Sequence, residues 1–175
     1  MGTHAAAALS GAGRKGATNP CACGWLGHPK RGCKCGPAEL VRYAAKVSGP
    51  ILDRLDLQIE VSALTSEELL AASPGEPSEL VRRRVLAARE VQRKRGWLNA
   101  QLPAPALREH CLLDATGRQL VADAIDRGGM SARAVHRAMR VARTIADLAG
   151  EERVGMLRLA EALQYRAYEA RRSLA

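Results

Sequence analysis

Four cysteines stand within the stretch NPCACGWLGHPKRGCKCG, Asn19 to Gly36, as two C-x-C pairs: Cys21 with Cys23, and Cys33 with Cys35. Thiolates are good ligands for zinc, which takes four of them in a tetrahedron. Between the pairs lie Gly24, Gly27, Pro29 and Gly32, so the chain can turn back on itself. Lys30, Arg31 and Lys34 would lower thiol pKa values and offset the charge of four thiolates. His28 is a spare ligand. Ligands one residue apart strain a single tetrahedron, so this spacing is less specific than two C-x-x-C knuckles. Three readings stand: a zinc site, four reduced thiols in a folded loop, or a disulfide or iron–sulfur arrangement. The fifth cysteine, Cys111, lies in an apolar helical stretch and reads as core. An odd total of 5 cysteines makes disulfides the poorer account.

The elements that must position these thiols follow from composition and punctuation. Apolar residues make up 47% of the 175, while aromatics are 3% with no Phe. A core of Leu, Val, Ile and Ala favours helices over β-sandwiches. The net charge of +9 favours an anionic partner. No apolar run approaches the ~20 residues of a membrane span. The Ala-rich start, MGTHAAAALSGAGRKG, has its basic residues after the apolar run, the reverse of a secretory signal, so the expected setting is the cytoplasm.

Residues 1–18 read as a flexible, Gly-rich tail. Pro37 to Val47 reads as a helix with Pro at its start, ended by Ser48-Gly49-Pro50. Ile51 to Asp56 reads as a short turn or helix, and Leu57 to Val61 alternates as a strand. Thr65-Ser66-Glu67-Glu68 offers a capping box for a helix through Ala72, and Ser73 to Pro77 is a linker. Five helices follow. The first runs from a Ser78 cap to Arg95, closed by Gly96. The second covers Ala104 to Cys111, and the third runs from an Asp114 cap to Gly128-Gly129. The fourth runs from a Ser131 cap to Gly150, and the fifth covers Met156 to Arg171. On the fourth, Val135, Ala138, Met139, Ala142, Ile145, Ala146 and Ala149 recur at helical spacing. The boundaries are 1–18, 19–61, 62–77 and 78–172.

The segment from Asn19 through GPAELVRYAAKVSGPILDRLDLQIEV, and later SARAVHRAMRVARTIADLAG with LAEALQYR, resembles the magnesium-chelatase-like AAA+ ATPases of the competence-associated ComM/YifB group. The resemblance covers about Asn19 to Arg166. It implies a mainly α chain: a helical AAA+ lid over 78–172, preceded by the Cys-rich loop and one short strand left from the α/β core. It also implies roles. Asn19 stands at the sensor-1 position. Arg54, in SGPILDRLD, stands at the arginine finger that reaches a neighbouring subunit's nucleotide. Arg133 stands at the sensor-2 position of the lid. Arginine suits these roles because its planar fork matches phosphate oxygens and its charge is permanent. The residues alone also admit structural roles: Arg54 beside Asp53 or Asp56, and Arg133, Arg137 and Arg140 as a solvated stripe.

The chain departs from the family pattern at the phosphate loop, at the magnesium-holding strand and at the strand expected before Asn19, where AAAALSGAGRKGAT stands instead. A P-loop needs G-x-x-x-x-G-K-[ST]. The nearest stretch, GAGRKGAT (Gly11–Thr18), places Lys15 before Gly16, and no apolar strand ends in paired acids to hold magnesium. The resemblance is therefore to the C-terminal part of an ATPase that handles DNA as a hexamer, with ATP and magnesium bound by the complete module. The expectation for this chain alone is no hydrolysis. A second reading is a non-catalytic, Cys-rich, basic DNA-binding module whose phosphate contacts come from Arg82, Arg83, Arg84, Arg89, Arg93, Lys94 and Arg95. A third is a helical protein-interaction fragment.

The capped helices after the Pro-rich linker should fold by themselves. Limited proteolysis is expected to cut near 73–77 and to leave 78–172 protected. Digestion of the whole chain at one rate would place the boundary elsewhere.

Overall fold

The computed structural model describes residues 8–10, 13–46, 51, 54–71 and 75–166. The protein is mainly helical. Two compact units form: Met1–Leu55 with Glu60–Ser66, and Asp56–Ile59 with Glu67–Ala175.

The first unit opens with a short antiparallel pair, β1 (Ala8–Ser10) and β2 (Gly13–Lys15), in the register Ala8↔Lys15 and Leu9↔Arg14. This pair lies within the stretch 1–18 expected as a flexible tail. Lys15, in the stretch closest to a phosphate loop, ends a strand and does not open a helix. The Cys-rich loop follows and runs into α1 (Pro37–Ala44), where Pro37 fills a first-turn position that needs no amide donor. Residues 47–50 and 52–53, with the expected end of this helix, lie outside the described residues.

The expected strand over Leu57–Val61 is not one. Among the described residues no strand lies beside it. A strand without a partner has no ladder to make, and here the Gln58 amide bonds instead to the Tyr165 carbonyl at 2.8 Å. A five-residue helix, α2 (Ser66–Leu70), comes next; Ala71 already lies beyond it, and Ala72, its expected end, lies outside the described residues.

The helical part of the second unit consists of α3 (Ser78–Arg95), a 3₁₀ turn (Asn99–Gln101), α4 (Ala104–His110), α5 (Ala115–Asp126), α6 (Ala132–Leu148) and α7 (Met156–Gln164). Most boundaries fall where local chemistry sets them. The Asp114 carboxylate accepts the Gly117 amide at 2.7 Å, and the Ser131 hydroxyl accepts the Ala134 amide at 3.1 Å. Gly96 ends α3 in the left-handed region at φ 85°, and its amide and that of Trp97 bond to the Arg93 and Gln92 carbonyls. At the start of α3 the expectation fails in detail: Pro77 is the cap and Ser78 lies inside the helix. Residues beyond 166, where α7 was expected to continue, lie outside the described residues.

Helix α6 is the centre of this unit. α3, the 3₁₀ turn, α4, α5 and α7 all pack on it. Val135, Ala138, Met139, Ala142 and Ala146 are buried as the stripe requires, while Ala149 is exposed. Leu102, Leu107 and Leu159 fill the space around them and are fully buried. No helix among the described residues is long and apolar enough to cross a membrane.

The same helix buries two charged residues that the apolar stripe does not announce. Arg143 is 1% exposed, and Asp147 has its side chain fully enclosed. The Oδ1 of Asp147 takes both Arg143 at 2.9 Å and Arg95, from the last turn of α3, at 2.7 Å. Asn99 donates to the same carboxylate at 2.7 Å and reaches Thr144 at 3.2 Å. Arg143 also donates to the carbonyls of Glu151 and Glu152, so it ties down the loop after α6.

Removing one partner from a buried charged set leaves the others uncompensated. Asp147→Ala should cost about 3–5 kcal/mol in chemical denaturation, against less than about 1 kcal/mol for Glu79→Ala, whose pair with Arg83 is exposed. Equal effects from the two changes would contradict this account.

Candidate metal centre and arginine positions

The Cys-rich loop is built by turns of short range. The Cys21 carbonyl accepts the Gly24 amide at 3.1 Å, and the Trp25 carbonyl accepts the His28 amide at 3.1 Å. Gly24 and Gly27 take φ of 81° and 78°, a backbone region that side chains disfavour. The loop then reverses on His28, whose Nδ1 accepts the amides of both Lys30 and Arg31 at 3.1 Å. His28 is therefore a turn-holding residue and stands outside the group of sulfurs, contrary to its expected role as a spare ligand.

These turns bring all four sulfurs within 4.8 Å of one another. Cys21 to Cys23 is 3.4 Å, Cys23 to Cys33 is 3.6 Å and Cys21 to Cys33 is 3.7 Å. All are far longer than a disulfide bond, and the five cysteines are free thiols. A tetrahedron with metal–sulfur bonds of 2.3 Å has edges of about 3.8 Å. The cluster is thus already near the size that four thiolates around one ion require. Cys21 is fully buried and the other three are half-buried.

The thiols do not share their protons equally. Backbone amide bonds from Lys34 and Trp25 hold Cys23 down at about 6. For Cys35 the Cys23 backbone bond pulls down, but desolvation and the neighbouring sulfurs outweigh it and push the thiol up to about 12. Cys33 is also raised: the Cys35 amide opposes the shift, and desolvation with the sulfurs of Cys23 and Cys21 outweighs it. One thiolate forms readily, and further charge in the same small volume is resisted until a cation enters. The four cysteines can hold a metal ion. Cys111 takes no part. It is buried in the helical unit, its thiol donates to the Met139 carbonyl at 3.6 Å, and burial pushes it up to about 11.

The three other site positions are all exposed. Asn19 is exposed, and its carbonyl accepts the Thr18 hydroxyl at 3.3 Å. Arg54 is exposed, and its amide closes a turn onto the Ile51 carbonyl at 3.0 Å. The Asp56 carboxylate belongs to Arg137 at 2.8 Å, while Asp53 lies outside the described residues. Arg133 is exposed in the first turn of α6. The stripe it was expected to share is split by use. Arg137 holds Asp56, and Arg140 donates to the Leu102 carbonyl at 2.7 Å. Sequence reasoning missed Arg143 and Asp147 altogether. Their signal is their spacing of four beside Ala142 and Ala146, which places both on the buried arc.

Four of the seven cations on the basic helix α3 are paired with carboxylates. Arg84 makes a two-pronged pair with Glu76 at 2.7 and 2.8 Å, Arg83 meets Glu79, Arg93 meets Glu90, and Arg95 is committed to Asp147.

Comparison with known proteins follows the same division of the chain. A family model described as magnesium chelatase, subunit ChlI C-terminal, matches residues 75–166, and one described as magnesium chelatase, subunit ChlI, matches residues 15–69. Competence protein ComM of Haemophilus influenzae is 43% identical over 133 residues, which is 75% of this chain and 26% of that protein. The uncharacterised protein YifB of Escherichia coli is 40% identical over 139 residues, 78% of this chain and 27% of that protein. An uncharacterised protein of Mycobacterium tuberculosis is 38% identical over 162 residues, 89% of this chain and 31% of that protein. The chain therefore spans about a quarter to a third of the length of these curated relatives.

Metal binding by thiolates displaces protons, so its strength follows pH. Since Cys33 and Cys35 hold their protons above the ordinary thiol range, apparent affinity for zinc should rise from about pH 6 to about pH 8, with proton release on loading. Calorimetry in buffers of different ionisation heat measures both. Cys111→Ser should leave metal content unchanged, and Cys21→Ser should abolish it.

Proposed function

The chain belongs to the magnesium chelatase ChlI family, in the ComM/YifB-like branch and over its C-terminal portion, and from that premise we propose that it is the zinc-loop and lid portion of an ATP-driven AAA+ motor acting on DNA. In this reading Cys21, Cys23, Cys33 and Cys35 hold a structural zinc ion. Four thiolates leave no open position for a substrate, so the ion fixes the loop and does no chemistry.

Arg133 reads the nucleotide of its own subunit. The observation that carries this is the fate of the α6 arginines. Arg137, Arg140 and Arg143 are each committed to a carboxylate or a carbonyl, and Arg133 is left exposed at the N-terminal turn, with no carboxylate paired to it among the described residues. The amides and dipole at a helix start favour an anion, and a guanidinium beside them adds a fork for phosphate oxygens. Arg54 is assigned to the neighbouring subunit's nucleotide, where charge develops on the transferred phosphoryl group. Asn19 is assigned to the sensor-1 position. The phosphate cradle and magnesium ligands belong to the rest of such a motor, as does hexamer formation.

The competing reading, a DNA-binding module working through α3, is disfavoured by the pairing of Arg83, Arg84, Arg93 and Arg95 with carboxylates.

Alone, the chain should hydrolyse no ATP and should bind nucleotide weakly and salt-sensitively, with the binding lost in Arg133→Ala. In a longer relative, the arginine aligned with Arg54 should be needed for turnover but not for binding, and the one aligned with Arg133 for both. Mixing subunits that lack the P-loop lysine with subunits that lack the finger should restore some turnover. A mixture that assembles and stays inactive removes the finger assignment.

A further inference from the structure

The first 38 residues hold five Lys or Arg and no Asp or Glu; Glu39 is the first acid of the chain. Three of the five cations, Lys30, Arg31 and Lys34, stand on the Cys-rich loop, and all three are exposed. Among the described residues no carboxylate pairs with any of them, in contrast to the paired arginines of α3.

The loop also holds these cations in place. The Lys30 and Arg31 amides are both fixed by His28 Nδ1 at 3.1 Å. The Arg31 guanidinium lies over the Trp25 ring, 4.3 Å from its centroid, and His28 meets the same ring edge-on at 5.0 Å. Stacking of this kind reduces the freedom of a long side chain before any ligand arrives, so less entropy is lost on contact. Lys34 lies between Cys33 and Cys35, whose sulfurs pin the backbone on either side.

We propose that Lys30, Arg31 and Lys34 form a phosphate-contacting face of the Cys-rich loop that binds the backbone of nucleic acid. Closely spaced, fixed cations match a chain of phosphates spaced along a strand. Trp25 is a positioning residue. Its ring is occupied by Arg31, so it holds the guanidinium and does not serve as a stacking platform for bases. A membrane surface fits less well, because the same occupied ring is not offered as an interfacial anchor and Leu26 alone adds little apolar area. The inference supplies a DNA contact to the motor proposed above, but it needs no ATP turnover, so the two can fail separately.

The test uses the full chain with its metal retained and fluorescently labelled single-stranded and duplex oligonucleotides, titrated at several salt concentrations. Three phosphate contacts contribute about 2 to 3 to the slope of log affinity against log salt, which is about a 40-fold change between 50 and 200 mM salt. Lys30→Ala/Arg31→Ala/Lys34→Ala should remove that share of the slope. Lys30→Ala/Lys34→Ala, which leaves the Arg31–Trp25 stack intact, should remove about two-thirds of it. Trp25→Ala should weaken binding several-fold, and Trp25→Phe should restore most of it, with metal content unchanged throughout. An unaltered slope in both loop variants would overturn the proposal. So would loss of the whole salt dependence in Arg82→Ala/Arg89→Ala/Lys94→Ala, or binding to phosphatidylglycerol vesicles without binding to either oligonucleotide. ATP turnover in a longer relative that ignores DNA, beside intact oligonucleotide binding here, would count against the motor and not against this face.

Discussion

One enclosed carboxylate organises the helical unit. Asp147 lies on the central helix with Arg143 one turn before it and Arg95 arriving from α3, and Asn99 completes its shell. A carboxylate out of water is tolerable only with partners on every side. Each partner therefore has a fixed place: the last turn of α3, the 3₁₀ turn after it and the loop that follows α6. Apolar packing alone would leave these helices free to slide, because the buried side of α6 is mostly alanine and has few large side chains to interlock. The charged set supplies the register that small residues do not.

This arrangement bears on function through what it consumes. Arg137, Arg140, Arg143 and Arg95 are committed to carboxylates or carbonyls, and Arg84, Arg83 and Arg93 on α3 are paired with Glu76, Glu79 and Glu90. The net charge of +9 is consequently a poor guide to where an anion would bind. The cations left in reach of solvent include Arg133 at a helix start and Arg82, Arg89 and Lys94 on α3 in one unit, and the Lys30, Arg31, Lys34 set on the loop of the other.

The Cys-rich loop solves a different problem. It has almost no core, with Cys21 its single buried apolar residue. Short segments of that kind are held by a staple when apolar area is too small. Two positive-φ glycines and the His28 turn bring the sulfurs together over fifteen residues, Cys21 to Cys35, where desolvation and the neighbouring sulfurs raise the Cys33 and Cys35 thiols.

The sequence by itself determined the mainly helical class, the family, the four-thiol cluster and most helix ends. All of these depend on interactions that close within a few residues: Asp114 on Gly117, Ser131 on Ala134, Gly96 ending α3. It misjudged Leu57–Val61 because alternation marks a residue's fitness for a strand while a strand exists only beside a partner. Only the tertiary structure decided which charges are spent and which are left to act. Arg95 meets Asp147 across 52 positions, and Arg137 meets Asp56 across 81. Those distances along the chain are closed by the packing of whole helices, so spacing alone cannot distinguish a structural arginine such as Arg137 from an exposed one such as Arg133.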